Sequence, residues 1–404
     1  MRGRTLLLAV ALFASGACNS EQTESPDQVT LTWWDHLNHS PMATQAVDNL
    51  LSRYRHDHPG VRIERTSLPH PEFQAKLAEA TASGVFPDIA AVDSTDLARL
   101  AAGNALADLT DRFDRWGLGG EFLPQVRESA THDGRVLGVP LRSTTTALVY
   151  NRDHFAAAGL GDPPTTWEGL RTAAKALTSA DRSGLCFGTR DDDLTVTFLP
   201  FLWQAGGEVA DIGDQASVDA LTYLDGLVNT DRSAPAQGWT DADVRRRFAE
   251  GRCAMAITGP AAIPELNQAG LDWAAAPLPD GAAAPAGQLG GETWVVGRAG
   301  QVDRAWEVLT WLAEHSDNAT EFGGGLGALP NRADTVDDLA WQWDPNVAGF
   351  TGQLRSARAR TAHGAKYQEV SRAISTAVTR TFTGERRPDQ AIADAAVEID
   401  RLLR

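Results

Sequence analysis

Short apolar, β-branched runs alternate with segments of helical spacing through the first hundred or so folded residues, and that rhythm predicts a parallel sheet covered by helices. Val29–Trp34 (VTLTWW) reads as a strand. Pro41–His56 then places Ala46, Val47, Leu50, Leu51 and Tyr54 on one side of a helix that Pro59-Gly60 stops. Val61–Thr66 alternates as a second strand, Pro71–Thr81 turns Phe73, Leu77 and Ala80 inward as a helix, and Ile89–Val92 is a buried strand before a helix over Asp96–Ala102. The alternation resumes beyond Gly134. Strands are expected at Ala147–Asn151, Cys253–Ile257 and Leu289–Gly297. Helices are expected from Trp167 to Leu177, capped by Thr165 or Thr166, over Asp241–Gly251 and over Val302–Glu314. Two long helical patterns, Gln368–Thr383 and Pro388–Leu403, are split by Gly384.

A chain of 404 residues exceeds one ordinary core and predicts two domains. Hydrophobic content of 43% and charged content of 22% are those of a globular protein. The start is different. Arg2 and Arg4 precede the apolar run Thr5–Ala14, the length of a signal-peptide core and too short for a permanent membrane span. Ser15-Gly16-Ala17 then leads to Cys18, which resembles the lipobox of bacterial lipoproteins, where the cysteine is lipidated. Ser15 stands where that motif has Leu, so simple secretion with cleavage near Ala17 remains the alternative. Residues 1–18 are read as a leader and 19–28 (through NSEQTESPDQ) as a flexible tether. The working protein is therefore expected outside the cytoplasm, in contact with the membrane only through an anchor. The formal charge is -17, and about -19 once Arg2 and Arg4 are removed (34 Lys and Arg against 53 Asp and Glu). That balance argues against nucleic acid and against broad attraction to anionic lipid.

Two cysteines remain, Cys186 and Cys253, each in an apolar stretch. A bridge and two buried thiols are both open. No CxxC pair, HExxH or Cys/His cluster has metal-ligand spacing, and no cofactor is expected. Asp191-Asp192-Asp193 reads as a solvated loop, with calcium as a remote option. Twelve Trp stand beside four Tyr. Flat apolar rings stack on sugar C–H faces while carboxylates and amides fix hydroxyls, so an aromatic excess in an acidic chain suits carbohydrate.

The order of several short segments resembles the extracytoplasmic solute-binding proteins of ABC importers, in the branch that carries sugars and oligosaccharides. The segments are Trp33-Trp34, Phe86–Ile89, Gly103–Leu109, Gly138–Pro140, Tyr150-Asn151, Pro164–Glu168, Phe248–Pro260, Ala276-Pro277, Leu289–Gly291, Ala305-Trp306 and Leu329-Pro330. The resemblance implies two discontinuous α/β lobes of the periplasmic-binding-protein type, joined by crossings near Arg142–Thr145, Gln288–Glu292 and Leu329–Asn331. Lobe one would hold 29–142 and 290–330, and lobe two 143–289 and 331–404. A solute would bind in the gap and the lobes close on it.

The same resemblance implies the site residues. Trp34, His36 and Asn38 follow or end the first strand, and Asp93 ends another, placed to take two hydroxyls. Arg142 and Thr144 lie at the first crossing, and Gly290, Gly291, Glu292 and Trp294 at the second. Trp203 and Trp239 would stack from lobe two, while Gly259 and Pro260 let backbone approach the ligand. Relatives often carry an aromatic after that Gly-Pro pair, where this chain has Ala261.

These readings imply a monomeric, non-enzymatic protein that delivers a sugar to the transmembrane subunits of an ABC permease. Two alternatives differ in class. A glycoside hydrolase would need two carboxylates flanking one bond, with Asp93 and Glu292 meeting across the gap. A binding protein for a polyol phosphate would need clustered arginines at a helix N-terminus, and one for an amino sugar an acidic gap.

Overall fold

The computed structural model describes residues 28–404 except 237 and 338–342. The leader, Cys18 and the tether as far as residue 27 lie outside the described residues. Among the described residues no helix is long and apolar enough to cross a membrane.

Strands β1 (Val29–Asp35), β2 (Val61–Ser67) and β3 (Ile89–Asp93) pair in parallel, as the alternating sequence predicts. β3 is apolar up to its last residue, Asp93, because both faces are covered: Ile89 and Ala91 pack into one cluster and Ala90 and Val92 into another. The helix Pro41–Asp57 covers one face with Ala43, Ala46, Val47, Leu50, Leu51 and Tyr54, and the Ser40 side chain caps it by accepting from the Ala43 amide. A hairpin of β4 (Thr131–His132) and β5 (Arg135–Val136) turns on Asp133 and Gly134, both at positive φ, the backbone of a type I′ turn. β6 (Gly138–Val139) follows. The sheet is completed from far along the chain by β13 (Glu292–Val296), which runs antiparallel between β3 and β6 and gives the order β2-β1-β3-β13-β6.

The second lobe is built on β8 (Ala147–Asn151), β9 (Ser183–Cys186), β10 (Cys253–Thr258) and β11 (Trp273–Ala276), in the order β11-β8-β10-β9. Its core includes the helix Asp191–Gln204 and the hairpin of helices Tyr367–Phe382 and Pro388–Leu403. Asp191–Asp193 is thus the first turn of a helix, not a loop. Pro200 lies inside that helix.

Between the lobes, β7 (Thr144–Thr145), β12 (Gly287–Gly290) and β14 (Ala357–Ala359) form a three-stranded sheet in the order β14-β12-β7. Thr144 pairs with Gly290, Thr145 with Leu289, and Ser143 with Leu329, so three distant stretches of chain run side by side. Gly291 has φ 112, and a Cβ there would lie 2.1 Å from the Arg142 carbonyl oxygen, so only glycine fits. The third passage is longer than the sequence suggests. Arg332 still bridges Phe122 and the Ala333 amide donates to the Glu121 carbonyl, whereas by Pro345 the chain accepts from Ala275 of the second sheet.

Cys186 and Cys253 form a disulfide that ties the end of β9 to the start of β10 across a sequence separation of 67. Closing a loop of that length restricts the unfolded chain. Replacing both cysteines by alanine is expected to lower unfolding free energy by up to about 4 kcal/mol, read as a lower urea midpoint. An unchanged midpoint would show that the bridge adds nothing.

Candidate functional site

The loop after β1 leaves from a buried ion pair. Arg65 grips Asp35 through Nε (2.7 Å) and Nη2 (3.0 Å), while Ser67 Oγ, Trp33 Nε1 and the Leu37 amide also donate to that carboxylate. Burial works to raise the Asp35 carboxyl, but Arg65 and these hydrogen bonds outweigh it and hold it below the usual range. His36 is thereby set near Glu292, with Nε2 3.7 Å from its carboxylate, and packs edge-on against His70 and against Phe73.

Arg142 joins the crossings. Its Nε donates to the Leu326 carbonyl at 2.6 Å and its Nη1 to Glu292 Oε2 at 2.6 Å, with both side chains nearly buried. A cavity of about 200 Å³ opens beside it. Arg142, Thr144, Thr146 and Gln288 line it from the crossings. Asp193, Val196 and Thr197 reach it from the helix Asp191–Gln204, and Asp241 from the start of the helix Asp241–Ala249. Ile257, Gly259, Pro260 and Ala261 close it at the end of β10. At Gly259 a Cβ would meet only the Thr145 carbonyl oxygen, at 3.8 Å, so its bare backbone faces open space.

Of the residues expected from sequence, Arg142, Thr144, Gly259 and Pro260 come together here. The rest do not line the cavity. Trp203 (5% exposed) is a core residue of the second lobe with Arg358 against its ring, and Trp294 (1% exposed) lies between Trp33 and Phe322 in the first. Both rings are large enough to be consumed by packing, which corrects their expected stacking role. Trp239 carries the Arg247 guanidinium 4.0 Å from its ring centre, and Trp34 carries Lys76 at 4.2 Å. No aromatic residue lines the cavity among the described residues, so stacking is not its means of holding a ligand. Asn38, Gly290 and Gly291 also lie off the lining. A Cβ on Gly290 would meet Thr144 Oγ1 at 2.9 Å, so close packing of the crossings explains that glycine.

Asp93 caps the turn that follows it. Its Oδ1 accepts from the Thr95 amide (2.8 Å) and hydroxyl (2.7 Å), and its Oδ2 faces Arg360 Nη2 at 3.4 Å. Arg360 is 5% exposed and spans the lobes, reaching Asp192 Oδ2 at 3.2 Å and the Tyr367 hydroxyl at 2.7 Å. Burial works to raise the Asp93 carboxyl, yet Arg360 and Thr95 hold it below the usual range. Asp93 and Glu292 do not meet across the gap. They are cross-strand partners on β3 and β13 of one sheet, each already engaged by an arginine.

Asp193, Asp241, Thr146, Gln288 and Arg360 were not expected from sequence. Asp193 Oδ2 accepts from the Asp241 amide at 3.0 Å. Asp241 in turn accepts from Thr258 Oγ1 at 2.6 Å and pairs with Arg245. Burial first, then the charges of Asp241 and Asp192, raise the Asp193 carboxyl to about 6. At this one carboxyl the folded form holds the proton more tightly than the unfolded chain does, so its contribution to stability is lost as pH rises from about 4 through about 6. D193N is expected to be more stable than the parent at about pH 8 by 1–3 kcal/mol, with the difference vanishing by about pH 4. Urea unfolding at the two pH values measures this, and an equal or lower stability at the higher pH would contradict it.

The bacterial extracellular solute-binding protein family model matches residues 49–349. A maltotriose-binding protein of Pyrococcus abyssi is 23% identical over 79% of this chain and 71% of its own length. An uncharacterized lipoprotein of Streptomyces antibioticus is 29% identical over 70% of this chain and 66% of its own. Among solved structures, the cyclic alpha-maltosyl-1,6-maltose binding protein of Arthrobacter globiformis superposes with a TM-score of 0.80 at 25% identity, covering 93% of this chain and 99% of that one. A binding protein rather than an enzyme, working outside the cytoplasm, the chain belongs to the bacterial extracellular solute-binding family.

Proposed function

We propose that this protein is the substrate-binding component of an ABC importer and that it captures a sugar in the cavity beside the crossings. The observation that carries the reading is the placement of that cavity. Polar groups from two crossings and from the second lobe line it, and Arg142 links it to the first lobe through Glu292. Relatives named for maltotriose and for a cyclic maltosyl-maltose support carbohydrate as the ligand class. The volume suits one sugar ring with its hydroxyls on Asp193, Asp241, Thr144, Thr146 and Gln288. A polyol phosphate is disfavoured, because the first turn of the helix that reaches the cavity carries three carboxylates, Asp193 among the cavity lining.

Lobe closure would present the loaded form to the permease. Residues 29–142 and 290–336 form the first lobe in this reading, with 143–289 and the segment from 345 onward forming the second. The small residues before Cys18 support lipid attachment there, with the tether holding a monomer near the membrane.

A thermal-shift screen of residues 19–404 against neutral and amino sugars tests the proposal. A true ligand at about 100 times its Kd adds about 2.7 kcal/mol of stability, so Tm rises with ligand concentration. A panel in which no sugar raises Tm, while an amino acid or peptide does, would contradict it.

A further inference from the structure

We propose that the ligand presents a protonated amine to Asp193, which makes it an amino sugar or another amine-bearing carbohydrate. This rests on the reading of the cavity as a sugar site and narrows its substrate class.

The first observation is charge. Among the described residues no cation lies within ion-pair distance of Asp193. Its neighbours on every side are accounted for. Asp192, on the same helix, is paired with Arg360. Asp241, on the facing helix, is paired with Arg245, which is shared with Glu265. Arg142, at the crossings, is spent on Glu292 and the Leu326 carbonyl. One carboxylate is left facing the cavity without a partner of opposite charge, beside two other acids. A partly buried charge of that kind is costly until a cation joins it.

The second observation is independent of charge. Thr146 Oγ1 and Gln288 Oε1 have no hydrogen-bond partner, in side chains only 7% and 5% exposed, and both residues line the same cavity. An ammonium group offers three donors and no acceptor, whereas a hydroxyl offers one donor. Asp193 and these two oxygens are acceptors carried by residues that line the same cavity. The absence of an aromatic from the lining fits as well, since a ligand held by its charge does not need a stacking platform.

The test is a set of matched pairs measured by calorimetry on residues 19–404: glucosamine with glucose, galactosamine with galactose, and the glucosamine disaccharide with cellobiose. The N-acetylated forms serve as uncharged controls. At about pH 7 at least one amine is expected to bind at least tenfold tighter than both its neutral and its acetylated counterparts. That preference should shrink several-fold at about pH 5, where Asp193 takes up a proton. D193N should abolish the preference, and because that variant is expected to be the more stable one, its loss of binding would not reflect misfolding. Neutral sugars binding as tightly as their amines would overturn the inference while leaving the sugar reading intact. An amine preference that survives D193N, or that does not weaken at the lower pH, would also overturn it. Failure of every sugar, charged or neutral, would overturn both.

Discussion

One guanidinium holds the junction of this molecule. Arg142 stands at the first crossing, donates to Glu292 of the second and to the Leu326 carbonyl just ahead of the third, and lines the cavity with what remains of its surface. The backbone reinforces the junction: Ser143 pairs with Leu329, Thr144 with Gly290, and Gly291 adopts a conformation that leaves room for the Arg142 carbonyl. The two sheets are thus joined by strands whose hydrogen bonds satisfy one another. A buried arginine–glutamate pair costs desolvation, but removing either partner costs more, which makes the junction intolerant of change.

Acids gather where the strands and one helix point at this junction. The distribution is not uniform. On the side of Asp93, Arg360 neutralises both lobes at once by facing Asp93 and Asp192. On the side of Asp193 no cation among the described residues lies within ion-pair distance of the carboxylate, which is raised by burial and by its acidic neighbours. One half of the gap is therefore electrostatically closed and the other is left for a ligand. This asymmetry is what turns a fold shared by many binding proteins into a statement about ligand chemistry.

Much of the fold was legible because the β1–β3 region obeys local rules: alternating or apolar strands, and helical spacing over Pro41–His56. The crossings, with Arg142 and Thr144, were reached through family resemblance rather than periodicity. Asp193 was missed because three successive acids look like a solvated loop, whereas they form the first turn of a helix. Thr146 and Gln288 carry no sequence signal, since only the return of β12 beside β7 brings them to one cavity. Trp203 and Trp294 misled in the opposite direction, for a large ring satisfies a core as readily as it stacks on a sugar.

The most direct test of this account is a double-mutant cycle on Arg142 and Glu292, following urea unfolding of R142A, E292A and the double variant. If the pair holds the junction, each single change should cost about 3 kcal/mol or more by stranding a buried charge. The double variant should cost at least about 1 kcal/mol less than the two singles together. Costs that add to within about 0.5 kcal/mol would show that the two side chains act independently and that the junction does not rest on them.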